Sequence, residues 1–292
     1  MADASVRAEA SLSSETVGLE AGPVAHAIDA RWLMAYAAAL GETAPRYLDA
    51  RQAGGPAAHP IFPVAYEWPL ALALHARLAP DALQRRSVHA AHDLTIHRPP
   101  RAGETLLTRA RVVALASRRP GAFLVVRYET VDGTGRPVTT TLYGSIYRGV
   151  TLTGPDRVEV PWPAPAAPAG ELPVLATVAV AANLAHVYTE CARIWNPIHT
   201  DTAVAEAAGL PGVILHGTAT LALAVSRLLA LSDADPARVR RVSCRFTGMV
   251  RLPSTVTVRA RPLAGAPVTL FDALGEDGRA VLSEGALHLD RP

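Results

Sequence analysis

Long apolar runs and alternating runs divide the chain into elements before any chemistry is considered. The run TATLALAVSRLLAL, beginning at Thr218 directly after Gly217, reads as a helix, and an alanine- and leucine-rich pattern after Pro63 reads as another. Leu94–Val112 and Cys244–Pro262 each read as a strand, a turn bearing an arginine (Arg101, Arg251) and a second strand. Phe123–Gly149 and Pro267–Leu289 each hold two β-branched runs about a turn, Asp132-Gly133 and Asp277-Gly278. The most continuous apolar stretch, Leu172–Thr189, contains Pro173, Asn183 and His186. It reads as a buried strand and helix rather than the ~18 uninterrupted apolar residues of a membrane span.

These elements repeat. Laid without gaps, Tyr36–Asp49 falls on Tyr188–Asp201, with tyrosine, proline and aspartate coinciding, and Leu94–Val112 falls on Cys244–Pro262. Each copy reads as helix first, then antiparallel strands ending in a hairpin. Between the copies, PWPAPAAPAGELP (Pro161–Pro173) is too rich in proline to enter a helix or sheet interior and reads as an extended linker. The expected organisation is therefore a first unit over 1–160, a linker over 161–173 and a second unit over 174–292, with the first ten or so residues a loose arm.

Composition changes this picture little. The 292 residues are 50% hydrophobic, enough for one large core or two ordinary ones. All 28 basic residues are arginine, against 26 acids, and a net charge of +2 is too mild to imply nucleic acid binding. Cys191 and Cys244 make neither a disulfide framework nor a metal pattern, which fits a reduced, cytoplasmic compartment. The N-terminal residues carry acids and small polar side chains where a secretory signal needs an apolar core.

Candidate chemistry gathers between Tyr188 and Gly217. Pro197 ends any preceding helix, which leaves His199 on a turn, and Asp201 is placed to cap a short alanine-rich helix ending near Gly209. Gly217 opens the next helix, whose free amides favour negative charge. A histidine on a rigid turn beside a helix N-terminus is an acid/base plus oxyanion arrangement. Asn196 is either a support for the histidine or a turn residue, and His216 reads as structural.

Tyr188, Asn196-Pro197-Ile198-His199 and His216-Gly217 together resemble the hydratase 2 motif of the MaoC-like dehydratases and (R)-specific enoyl-thioester hydratases. The resemblance implies an α+β double hotdog fold, two tandem units each with a long central helix wrapped by an antiparallel sheet, the second unit keeping the catalytic motif and the first degenerate. It also implies a (3R)-hydroxyacyl-thioester dehydratase or enoyl-thioester hydratase, a hydro-lyase of fatty acid or polyketide metabolism. In that reading His199 is the base at the carbon α to a thioester carbonyl, Gly217 donates its amide to the thioester oxygen, and Tyr188 meets substrate. The family's Gly-Asp pair is replaced here by Arg193-Ile194. Glu190, one turn before Ile194 on a continuous helix, is the candidate replacement acid, with Glu42 a second. Arg193, Arg245 and Arg251 are candidates for the phosphates of coenzyme A or of an acyl-carrier protein's phosphopantetheine. No metal or redox cofactor is expected. A homodimer or a heteromer with another hotdog subunit is compatible with the resemblance. Ile194 keeps a catalytically silent acyl-thioester binder open as an alternative, with a thioesterase a third reading.

Overall fold

The computed structural model describes residues 10–78, 81–166, 170–264 and 267–290. The expected N-terminal arm falls almost entirely outside the described residues, as do 167–169 of the linker. The first half runs β1 (Ser11–Ser13), β2 (Glu20–Ile28), α1 (Ala30–Ala39), α2 (Pro45–Leu48), α3 (Pro63–Leu78), α4 (Asp81–Gln84), β3 (Ser87–Ile96), β4 (Glu104–Arg118), β5 (Gly121–Asp132), β6 (Pro137–Arg148), β7 (Thr151–Thr153) and β8 (Arg157–Val158). The second half runs β9 (Val174–Val180), α5 (Leu184–Ala192), α6 (Thr202–Ala207), α7 (Gly217–Ser232), β10 (Val239–Phe246), β11 (Ser254–Pro262), β12 (Val268–Gly275) and β13 (Ala280–Leu289).

One sheet carries both halves. Its spatial order, β2-β4-β5-β6-β3-β10-β13-β12-β11-β9, is a palindrome about the β3–β10 seam, each half contributing its strands in the same internal sequence. The seam is antiparallel, with Asp93 opposite Ser243 and His92 opposite Cys244. Arg241 spans it by a fork of 2.8 and 2.5 Å onto the buried Asp93 carboxylate. A bidentate guanidinium–carboxylate pair fixes register as well as adding stability.

The hairpins form where the turn chemistry demands. At the β5–β6 turn the Asp132 carboxylate accepts from the Thr134 and Arg136 amides at 2.8 and 3.1 Å, and Arg98 grips Asp132 and Glu104 from the flanking strands at 3.1 and 2.7 Å. In the β12–β13 turn, Gly278 takes φ +75°, a conformation open to glycine at little cost.

α3 and α7, each sixteen residues, are the long helices that the sheet covers. α7 buries ten of its residues, and its leucines join α1, α5 and the second-half strands in one apolar core that spans both units. α3 lies over a second cluster formed with Val126, Tyr128 and Tyr147. Burying each such leucine or valine contributes roughly 1.5–3 kcal/mol. On the opposite face of the first-half sheet, Val160 and Trp162, from the end of the first unit and the start of the linker, pack on Phe123, Val125 and Leu142.

The structure corrects two expectations. Each half begins with a strand, β2 or β9, ahead of its first helix, so helix-first was wrong. β2 escaped notice because Gly22, Pro23 and a mostly exposed stretch obscure its alternation. The second correction concerns the helix before the motif. α5 stops at Ala192, not at Pro197, because Arg193 turns into the left-handed region at φ 59° and Ile194 N–H returns to the Thr189 carbonyl at 3.1 Å. Glu190 and Ile194 therefore do not share one helix face: Glu190 is exposed and Ile194 is buried in the core.

Candidate active site

His199 sits on a short 3-10 turn, Pro197–His199. Pro197 supplies the fixed φ at the start of that turn, and the Asn196 side chain accepts from the Ile198 amide at 3.5 Å. Asp201 then caps α6 through the amides of Ala203 and Val204 at 2.9 and 3.3 Å. These local bonds hold the turn from both sides.

The imidazole of His199 is 9% exposed, and its Nδ1–H donates to the Ile214 carbonyl at 2.8 Å. That bond assigns the proton to Nδ1 and leaves the Nε2 lone pair free to act as base. Ile214 is itself fixed by a bridge to Arg251, and Leu215 N–H bonds Val250 at 2.9 Å. The His199 ring is thus registered against the second-half sheet. Burial lowers the His199 pKa to about 4, with the Ile214 carbonyl opposing, so the ring is neutral at physiological pH.

His216 stacks on His199, their ring centres 3.7 Å apart and planes inclined by 26°. It was expected to be structural, shaping the loop before α7, and it packs against the His199 ring with its own Nε2 held 3.2 Å from Thr189 Oγ1. Burial, and then the proximity of His199, push His216 well below the ordinary histidine range. His216 is also the residue at the N-cap of α7, where no side chain caps the helix. The Gly217 amide is among the donors that the first turn leaves without an intrahelical acceptor. A Cβ on Gly217 would come within 3.0 Å of the Phe246 ring, so a glycine is what lets the strand approach the helix start.

The other expected site residues divide. Glu190 and Asn196 line one cleft of about 320 Å³, together with His186, Thr189, Trp195 and Thr200. Trp195, 58% exposed, forms part of its wall. Tyr188 is fully buried, its hydroxyl bonded to Thr218 Oγ1 at 3.2 Å and to the Tyr36 hydroxyl at 3.0 Å, so it steadies the first turn of α7 from behind. Glu42, the second candidate acid, lies beside Tyr47, the first-half residue aligned with His199. Arg193 lies 4.1 Å over the Trp32 ring and 3.9 Å from Asp29, joining the halves. Arg245 pairs with Glu284 at 3.2 Å. Arg251, exposed beside Ile214, makes no ion pair among the described residues.

Thr189, Thr218 and the Ile214 carbonyl were missed by sequence reasoning. A threonine or a backbone oxygen has no distinguishing spacing, and only the folded path brings them to the histidines.

The MaoC-like domain model matches residues 167–265, and the model of a FAS1-like dehydratase domain region matches 15–141. A Dictyostelium discoideum protein named "Probable enoyl-CoA hydratase 2" is 25% identical over 188 residues, 63% of this chain and 63% of that protein. The chain therefore matches somewhat under two thirds of that relative's length. A MaoC-like dehydratase from Phytophthora capsici superposes with a TM-score of 0.81 at 21% identity, covering 95% of this chain and 97% of its own. A Mycobacterium tuberculosis protein described as having a double hotdog fold superposes at 0.58 with 19% identity, over 93% and 95% of the two chains. The chain thus has the double hotdog fold, its sheet palindromic, and the MaoC-like domain match falls on the second half, where the His199–His216–Gly217 cluster lies.

Proposed function

We propose that the protein adds water to enoyl thioesters, or removes it from (3R)-hydroxyacyl thioesters, with the substrate carried on coenzyme A or on the phosphopantetheine of an acyl-carrier protein. The observation that carries this reading is His199: neutral, tautomerically fixed by Ile214, and adjacent to the uncapped N-terminus of α7. In the elimination direction Gly217 N–H donates to the thioester oxygen as enolate charge develops there. A single donor of this kind stabilises the transition state by about 3 kcal/mol. His199 Nε2 removes the C2 proton.

The hydroxyl leaving C3 needs a proton from a second acid, and Ile194 cannot supply one. Glu190 opens onto the same cleft as Asn196 and is the acid assigned here. It gives its proton to the departing hydroxyl, which leaves as water, and in hydration it accepts the proton of the attacking water. The exposed Arg251, beside the Ile214 segment, is the guanidinium best placed for a substrate phosphate. The chemistry as proposed needs no metal or redox cofactor, since acid, base and oxyanion donor all come from the chain. The named enoyl-CoA hydratase 2 relative supports the reaction class.

The test is to follow loss of the conjugated thioester absorbance on short and medium enoyl-CoA substrates, with His199→Ala alongside. Turnover that disappears in His199→Ala, while its circular dichroism is unchanged, is the expected result. Folded protein that binds acyl-CoA yet turns over no enoyl substrate would end the proposal.

A further inference from the structure

A second set of polar side chains, none used by the reaction above, leads away from the start of α7 into the first half. Phe246, against which Gly217 packs, has its ring 4.3 Å from that of His89 on β3. His89 stacks on Tyr143 of β6 at 3.6 Å and lies 5.4 Å from His92. His92 stands opposite Tyr143 in the β3–β6 register. Two residues along β6, on the same face, Thr141 donates at 2.5 Å to Glu67 of α3. The line begins at Gly217, Phe246, His89 and Tyr143, all half-buried, and ends at Glu67 and His92, which are 3% and 0% exposed.

The buried end is poorly satisfied. Neither ring nitrogen of His92 has a hydrogen-bond partner among the described residues, and neither does Nε2 of His89. Leaving such a group without a partner costs about 1–3 kcal/mol, so buried polar groups are nearly always paired.

The fold itself does not require polarity here. α7, the long helix of the second half, has no charged side chain among its ten buried residues. In the repeat register that sets Leu94 on Cys244, His92 falls on Val242, which is fully buried. The second half keeps no buried carboxyl on its long helix and places valine where the first half has the His92 imidazole. Deep burial also keeps these groups uncharged. The Glu67 carboxyl is pushed up to about 8, and His92 is lowered to about 4. Each then offers both a donor and an acceptor to a neutral guest.

We infer that Glu67, His89 and His92 form a hydrogen-bonding subsite for an acyl chain that carries a hydroxyl or keto oxygen beyond its third carbon. The inference rests on the enoyl-thioester reading and names the substrate class within it. The thioester stays at Gly217 while the tail passes Phe246 toward His92. An apolar tail would leave the same buried side chains unsatisfied, which is how a site built for hydrogen bonding discriminates against the analogue that lacks the group.

The experiment measures binding of saturated acyl-CoAs by calorimetry, comparing a medium chain with its hydroxy and keto derivatives, and separately measures hydration of crotonyl-CoA. Wild-type protein should bind an oxygenated chain about tenfold or more tightly than the plain one. Glu67→Gln and His92→Gln should keep part of that preference, and Glu67→Leu and His92→Leu should abolish it, all with crotonyl-CoA hydration unchanged. Equal or tighter binding of the plain chain by wild type would overturn the inference whether or not the protein hydrates crotonyl-CoA. A preference for oxygenated chains with no hydration would uphold the subsite and reject the hydratase reading. If the leucine variants fail to fold, the wild-type comparison and the glutamine variants decide alone.

Discussion

His199 and His216 stack 3.7 Å apart in a buried site, so a proton on either ring is opposed by burial, and one on His216 also by His199. The His199 ring is thereby kept neutral until well below the usual histidine range. Dehydration of a (3R)-hydroxyacyl-CoA, the direction in which His199 must be neutral to take the C2 proton, should show a His199-dependent acid limb in kcat/KM with a midpoint near 4. A midpoint at the ordinary histidine value of ~6.5 would remove the buried base from the mechanism.

Stability should depend on pH in two opposed ways. His59, His92 and His199 have folded pKa values lowered by burial to about 3, about 4 and about 4. Below ~6.5 the unfolded chain binds protons that the folded chain does not, so stability falls as pH falls toward those values. Glu67 acts in the other sense. Raised to about 8 by burial, it binds a proton in the folded state that the unfolded state has lost, so its contribution is complete at low pH and fades as pH rises toward 8. Thermal melts should peak near pH 6.5, and Glu67→Gln should flatten the alkaline side while leaving the acid side in place.

Gly217→Ala should act through a single contact. The new Cβ would lie 3.0 Å from the Phe246 Cδ1, so the strand or the helix start must shift by a few tenths of an ångström. Overpacking of this kind costs about 1–3 kcal/mol. Displacing the amide should also lower kcat more than it raises KM, by about tenfold or more. Phe246→Leu in the same chain should restore part of both. An alanine variant with wild-type melting and wild-type kcat would show that this amide and this contact do not matter.

Ile194 and Glu190 make a paired prediction. Glu190→Gln should reduce kcat about a hundredfold with little change in melting, because the side chain is exposed. Ile194→Asp should instead lower the melting temperature, because it buries a carboxyl in the core cluster where Ile194 now packs. A Glu190→Gln enzyme as fast as wild type would take Glu190 out of the reaction.

Arg193 occupies a left-handed position at φ 59° while its guanidinium lies over Trp32. Arg193→Ala loses the ring contact and keeps the strained backbone, and should destabilise by about 1 kcal/mol. Arg193→Gly loses the contact but relieves the strain, so its melting temperature should lie above that of the alanine variant. The reverse order would rule out backbone strain at this position.

Much of this protein was legible in its residues because the informative signals are local. Pro197 and Asp201 act within a few positions of themselves, so the turn that carries His199 and the cap of α6 followed from sequence. The repeat was equally plain: Tyr36 and Tyr188, aligned as letters, meet hydroxyl to hydroxyl at 3.0 Å across the two halves. Periodicity distinguished strands from helices wherever one face is buried, and failed at β2, where glycine and proline interrupt it and both faces are largely exposed.

Only the tertiary structure decided the rest, since it depends on contacts between residues far apart in the chain. The end of α5 was set by Arg193, whose left-handed turn goes with a platform on Trp32 from the other half, and this separated Glu190 from Ile194. The proton position on His199 was set by the carbonyl of Ile214, fifteen residues on, and its pKa by burial. The polar line from Phe246 to Glu67 crosses the seam and joins two strands and a helix. Sequence specified which groups the chain carries and how each turns locally; packing specified which of them meet, how dry they are, and therefore which can hold or release a proton.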